Sequence, residues 1–167
     1  MHIRTEEAID IPAIREVTRA AFDSALEPTL VDALRSNATG VISLVAVDEG
    51  GVVGHIMFSP VQLTGNDGLR AMALAPMAVM PPRQRSGIGS ALVRAGLAEC
   101  TRRRVDAVFV VGHPEYYPRF GFTRASVAGI GCEFDVADEA FMVVELVPGS
   151  LKGRTGTVRF HEALKGV

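Results

Sequence analysis

The stretch MAVMPPRQRSGIGSALVRAGL, residues 77–97, constrains the fold more than any other part of the chain. An apolar run ends on Pro81 and Pro82, whose missing N–H groups cannot continue a sheet ladder. Past them, Ile88, Leu92, Ala95 and Gly96 recur at helical spacing, and Val93, Leu97 and Cys100 widen the stripe. The chain therefore turns from strand to helix over residues 80–87, with Gly87 and Gly89 where backbone is to be approached closely. The first turn of a helix leaves N–H groups without an internal partner and carries the positive end of the helix dipole, so the junction suits an anion. Arg83, Arg85, Ser86 and Ser90 add donors beside it. The plainer reading is a helix start with glycines tolerated for packing and solvated arginines.

The elements around the junction alternate. HIRTE reads as an edge strand, and Asp10 can N-cap a helix over IPAIREVTRAAF with Ile14, Val17 and Ala21 on one face. A second short helix is expected over residues 29–35. VISLVAV and VVGHIMF, separated by Asp48, Glu49, Gly50 and Gly51, have the pattern of an antiparallel hairpin. After the loop TGNDGL comes a strand over residues 71–79. The helix that follows ends at an arginine run, 102–104, that complements its dipole. AVFVVG, residues 107–112, is strand-like and should pair in parallel with the 71–79 strand through a right-handed crossover. In PEYYPRFGF, Gly121 can take the positive φ of a helix C-cap. FMVVELV, residues 141–147, is a last clear strand, and the tail from Pro148 reads as loop with a short final element near VRFHEAL.

The implied architecture is one α/β (α+β) domain spanning residues 1–167, with a mixed sheet flanked by helices. Lys plus Arg total 17 against 19 Asp plus Glu, so no global field is available to hold nucleic acid or an anionic membrane. The longest nearly apolar run, residues 71–82, falls short of the roughly 20 residues of a membrane span. Charges within MHIRTEE leave no apolar core for a secretory signal, so a soluble, cytoplasmic protein is expected. Cys100 and Cys132 stand alone, without a C-x-x-C, and read as buried or half-buried thiols. His2, His55, His113 and His161 show no metal-ligand spacing, so no metal is expected. A Walker A loop would need a lysine that the junction lacks, and Leu92 stands where a dinucleotide fingerprint needs a small residue.

Gln84, Gly87 and Gly89 meet the pattern Q/R-x-x-G-x-G/A, by which the chain resembles the GNAT superfamily of acyl-CoA-dependent N-acetyltransferases. GHPEYYPRFGF, CEFDVADEAFMVVEL and GTVRF are similar to its YhbS-like branch. The resemblance implies a GNAT fold whose two central parallel strands splay apart, with acetyl-CoA as cosubstrate. It also implies that Gln84, Arg85, Ser86, Gly87, Ile88, Gly89 and Ser90 hold the coenzyme pyrophosphate. The main chain of Met77, Ala78 and Val79 would hold the pantetheine arm, adding a ligand to a strand that needs no polar side chains. Tyr117, with Gly121 and Phe122, meets the family's Y-x-x-x-G-F and would protonate the departing thiolate; Pro118 departs from the polar residue usual after that tyrosine. A lone tyrosine without the motif would instead read as an amphipathic core residue.

Transfer to an amine also needs a base. His113, at the end of AVFVVG, carries a side chain that titrates near neutrality, and Glu115 could act through water. His113 could equally cap the segment that starts at Pro114. Glu27, expected between the first two helices, could recognise a cationic amine or be an ordinary surface carboxylate. The expected function is acetyl transfer from acetyl-CoA to a primary amine of a small molecule, peptide or protein. A non-catalytic acyl-CoA-binding sensor is the alternative. Residues 23–40 and 123–140 hold no acceptor-specific motif, and the sequence leaves monomer and homodimer both open.

Overall fold

In the computed structural model, which describes residues 1–166, the expected hairpin forms the spine of the sheet. β1 (His2–Thr5) lies antiparallel on β2 (Ile42–Asp48), and β2 on β3 (Gly51–Leu63), joined at Gly51 with φ 105°. β4 (Ala71–Val79) is antiparallel to β3, and β5 (Ala107–Val111) is parallel to β4. β6 (Thr123–Arg124) and β8 (Phe141–Glu145) complete this face of the sheet, β8 lying antiparallel between β5 and β6. The fold expected from the sequence, a mixed sheet with a parallel pair at its centre, is the one observed.

Side-chain alternation along the strands sorts the core into two layers. α1 (Ile11–Phe22) and α2 (Leu26–Asn37) cover one face, where Ile14, Leu30 and Leu34 pack with Val45 and Met57. α3 (Ile88–Arg102) covers the other, where Leu92 and Val93 pack with Ile56 and Phe58. Each such side chain withdrawn from water stabilises the fold by roughly 1.5–3 kcal/mol. A Cβ at Gly96 would overlap the Phe58 ring, so glycine is what lets α3 press onto β3.

Three expectations are corrected. Asp10 precedes α1 but its carboxylate does not cap it; it accepts from Arg4 at 2.7 and 3.0 Å and from the Glu7 N–H at 2.7 Å. α2 begins at Leu26, three residues before the expected start, so Glu27 lies in its first turn instead of between the helices. The tail is more than loop. β9 (Gly156–Arg159) pairs with the far end of β3 and runs parallel to β7 (Ile130–Cys132), and the 3₁₀ turn Glu162–Gly166 packs on α2.

The C-terminal end of α2 is tied down by charge. Arg35 donates to Glu6 at 2.5 and 3.1 Å and to Asp32 at 2.8 Å. Ser43 Oγ donates to the same Glu6 carboxylate and stands 2.7 Å from Nε2 of the fully buried His55. Because the serine proton is committed to Glu6, Nε2 of His55 must be the donor to Ser43, and the unpartnered Nδ1 carries the lone pair. Burial lowers the His55 imidazole to about 4, against the pull of Glu6 and with help from Arg35. Burial alone would raise the Glu6 carboxyl, but hydrogen bonds from Arg35 and Ser43 hold it below the usual carboxylate range.

The parallel pair is short. β4 and β5 are in register only from Ala71–Ala107 to Ala73–Phe109; beyond that β4 follows β3 and β5 follows β8. At the divergence Ile56 faces Met77 and Phe58 faces Leu74, leaving Ala75 and Pro76 opposite Met57 alone. This is a bulge, which bends its strand, and it falls on a residue with no N–H to lose from the ladder.

Candidate active site

One half of the cleft is made by the strand-to-helix junction. Pro81–Arg83 forms one 3₁₀ turn after β4, and the backbone then passes through left-handed conformations at Arg85 (φ 61°) and Gly87 (φ 89°). Gly87 is the N-cap of α3 and supplies no side chain, and the first bond into the helix is Ala91 N–H to Gly87 O at 3.0 Å. The N–H groups of Ile88, Gly89 and Ser90 are thus the ones a helix start leaves over. They sit at a cavity of about 430 Å³ lined by Val79, Gln84, Arg85, Gly87, Gly89, Ser90, Tyr116 and Arg119. Donors, a helix dipole and two guanidinium groups converge there, an arrangement suited to a phosphate or pyrophosphate. Arg83, by contrast, is bound to Asp48 of the hairpin, whose carboxyl it holds below the usual range, so Arg83 is not a free donor.

The second half is the gap between the diverging strands. Met80 N–H donates to Val53 O at 2.9 Å, and the two-residue alternation of the ladder then turns the N–H and C=O of Met77 and Val79 away from β3, into the gap. Gln84 Nε2 already uses one of these groups, donating to Val79 O at 3.0 Å. The gap opens on a cavity of about 630 Å³ that shares Gln84, Arg85 and Tyr116 with the first, so the two form one cleft. Phe22, Leu30, Pro76 and Leu164 wall this part, and Glu27, His113 and Tyr117 reach it.

Tyr117 is held at the end of β5. A Cβ at Gly112 would come within 2.5 Å of its ring, so only glycine lets the ring lie there. Edge-on contacts from Tyr116 (5.1 Å between centroids) and Phe122 (5.5 Å) fix it further. Gly121 caps the turn Tyr117–Phe120 at φ 94°, as its sequence position suggests. Tyr117 is 7% exposed, and burial, with Tyr116 beside it, pushes its hydroxyl up to about 12. It therefore stays protonated throughout the neutral range.

Of the residues singled out from the sequence, the structure gathers Met77, Val79, Gln84, Arg85, Gly87, Gly89, Ser90, Glu27, His113 and Tyr117 around one cleft. Ala78, Ser86, Ile88 and Glu115 do not line it. Ala78 alternates into the core, the Ile88 side chain is buried on the core side of α3, Ser86 spends its hydroxyl on Arg83 O at 2.5 Å, and Glu115 faces solvent. His113 does not cap the following turn with its ring; its backbone carbonyl accepts from Tyr116 and Tyr117 at 3.1 and 3.4 Å, leaving the ring exposed at the cleft. Glu27 is the least satisfied group: its Oε2 is shut off from solvent and accepts no hydrogen bond among the described residues.

Sequence reasoning missed Tyr116, Arg119, Phe22 and Leu164. Tyr116 lines both parts of the cleft and hydrogen-bonds Ser90 Oγ at 3.1 Å. The Arg119 guanidinium stacks 4.6 Å from the Tyr116 ring centre and donates to Tyr116 O at 2.9 Å. Their three-residue separation was the available signal. Leu164 reaches the cleft only through the unforeseen pairing of the tail. No helix among the described residues is long and apolar enough to cross a membrane.

Comparison with known proteins bears on the family and the fold. Residues 2–125 match the acetyltransferase (GNAT) domain family. The uncharacterized N-acetyltransferase YhbS of Escherichia coli strain K12 is 38% identical over 163 residues, which cover 97% of each chain. A crystal structure of Escherichia coli YhbS in complex with CoA matches with a TM-score of 0.91 at 37% identity, over 98% of this chain and 91% of that one. A GNAT family acetyltransferase from Brucella melitensis, solved with acetyl-CoA, matches with a TM-score of 0.79 at 35% identity, over 98% of this chain and 97% of that one.

Proposed function

The chain belongs to the GNAT acetyltransferase family, and from that premise we propose that it moves an acetyl group from acetyl-CoA to a primary amine by direct transfer. The observation that carries this reading is the backbone of Met77 and Val79 that no strand pairs, Val79 O meeting only the Gln84 side chain, along the gap that β5 leaves between the helix-start loop and Tyr117. A ligand with amides along its length can add there as a short strand while its pyrophosphate rests on the N–H groups of residues 88–90. Arg85 and Arg119 complement the phosphate charge. The relatives solved with CoA and acetyl-CoA support this occupant.

The chemistry then falls to a few side chains. The amine lone pair attacks the thioester carbonyl, a C–N bond forms, and collapse of the tetrahedral adduct breaks the C–S bond. Tyr117 gives its proton to the departing thiolate, a role that suits a hydroxyl held neutral by burial. His113 takes the amine's proton at the cleft; Glu115, exposed, acts only through water. Glu27 holds the amine before it reacts.

Tyr117→Phe tests the reading because it keeps the ring and its packing and removes only the hydroxyl. A thiolate leaves readily, so the loss should sit at the lower end of the roughly 10²- to 10⁴-fold range of positioned proton transfer, and in kcat. Acetyl-CoA binding by calorimetry should be unchanged. Full turnover in folded Tyr117→Phe would remove the acid role; tight acetyl-CoA binding by a wild type that acetylates no amine would favour a sensor.

A further inference from the structure

The walls of the acceptor part of the cleft describe its occupant more narrowly than the family does. Glu27 is the only carboxylate among the described residues lining this part, and its Oε2 is buried without a partner. A carboxylate oxygen stripped of water with nothing in exchange is costly, and a cationic donor entering the cleft would offset that cost. Only one such cation is provided for. The other groups here that can carry charge, Arg85 and His113, are basic or protonatable and would oppose a second ammonium.

Apart from Gln84 and the two tyrosines, the remaining lining is apolar. Phe22, Leu30, Pro76 and Leu164 come from four separate segments and face the same space. Phe22, which lines the cleft from the last turn of α1, is 41% exposed, so the apolar lining reaches the surface there. Large apolar side chains left in water at the rim of a cleft mark where an apolar ligand body rests.

We infer that the acceptor is a monoamine carried on an apolar body, its nitrogen held by Glu27 and its body by Phe22, Leu30 and Leu164. This rests on the transfer reaction proposed above and narrows it. Glu27 accepts N–H from the amine both before and after deprotonation, so the hold carries over to the reactive form. Leu164 makes the C-terminal turn a determinant of acceptor choice. A polyamine or an aminoglycoside would bring further cations into a space with no carboxylate besides Glu27 among the described residues and pair its polar surface with hydrocarbon.

The test is acetyl transfer to 2-phenylethylamine, spermidine and kanamycin, read as free thiol, with acetyl-CoA binding followed by calorimetry. The wild type should prefer 2-phenylethylamine by at least about tenfold in kcat/KM. Glu27→Gln should raise the KM for it about 10- to 100-fold, the range for losing a charge-assisted hydrogen bond, with acetyl-CoA affinity unchanged. Glu27→Asp should recover part of the loss. Leu164→Asp should also raise that KM; if it does not fold, Leu164→Ala serves, with a smaller rise. Preference for spermidine or kanamycin, or an unchanged KM in Glu27→Gln, overturns the inference while leaving the transferase reading intact. No transfer to any amine despite bound acetyl-CoA overturns both.

Discussion

The two ends of α2 treat a carboxylate in opposite ways. At the C-terminal end, Arg35 and Ser43 occupy Glu6, and His55 closes the network from beneath. At the N-terminal end, Glu27 keeps a buried oxygen with no partner and faces an open cleft. The same chemical group is a fastening in one place and an unfilled recognition point in the other. A carboxylate with its partners in place adds to cohesion; an unsatisfied carboxylate oxygen lining an open cleft is retained at a cost to stability, and recognition of a ligand is a physical reason to retain it.

The largest effect expected from this contrast is on stability. Glu6→Gln should destabilise by about 2–3 kcal/mol in urea unfolding, below the full value for breaking a buried pair because Arg35 keeps 20% of its exposure. Activity per folded molecule should be near that of wild type. A loss under about 0.5 kcal/mol would mean that Glu6 fastens nothing.

Acid should find the same end of α2. An unfolded histidine takes up a proton near 6.5, whereas folded His55 resists until about 4. Between those values the unfolded state binds more protons, so stability falls as pH falls, by about 2 kcal/mol from pH 7 to pH 5. Glu6, with its carboxyl lowered, adds stability above the ordinary 4.5 and loses it only as pH drops through its folded value, so the two windows separate. His55→Gln should flatten the slope between pH 6.5 and pH 5. A slope equal to that of wild type would assign the acid sensitivity elsewhere.

The smallest change in stability belongs to Glu27→Gln. Unfolding midpoints should move by no more than about 0.5 kcal/mol, because no hydrogen bond to Oε2 is lost, while the acceptor KM moves as described above. Destabilisation as large as that of Glu6→Gln would erase the contrast.

Much of this was legible in the residues. The limits of β4, the hairpin at Gly50 and Gly51, the buried stripe of α3 and the cap at Gly121 all follow from local chemistry: prolines, glycines and apolar spacing. So does the donor-rich loop before α3, because its residues are adjacent in sequence. Three features were not. The splaying of β4 from β5 came only through the family resemblance, because no local pattern records which neighbour each strand keeps. The tail strand Gly156–Arg159 is short and mostly polar, and only its pairing with β3 and β7 makes it a strand. Phe22, Glu27 and Leu164 meet across a cleft from distant parts of the chain, and no periodicity records that meeting. The side proposed for the acceptor is hidden from sequence because tertiary contacts build it, whereas most of the side proposed for the coenzyme lies in residues 77–90.

The central claim is that the gap between β4 and β5 is a binding edge for the coenzyme arm, and amide hydrogen exchange resolved residue by residue tests it directly. Met77 and Val79, facing the gap, should exchange quickly in the free protein, and Ala78, turned toward β3, slowly. Acetyl-CoA should slow Met77 and Val79 markedly and leave Ala78 as it was. Saturating acetyl-CoA that protects neither Met77 nor Val79 would contradict the account, for the coenzyme would then be bound without the edge that the diverging strands expose.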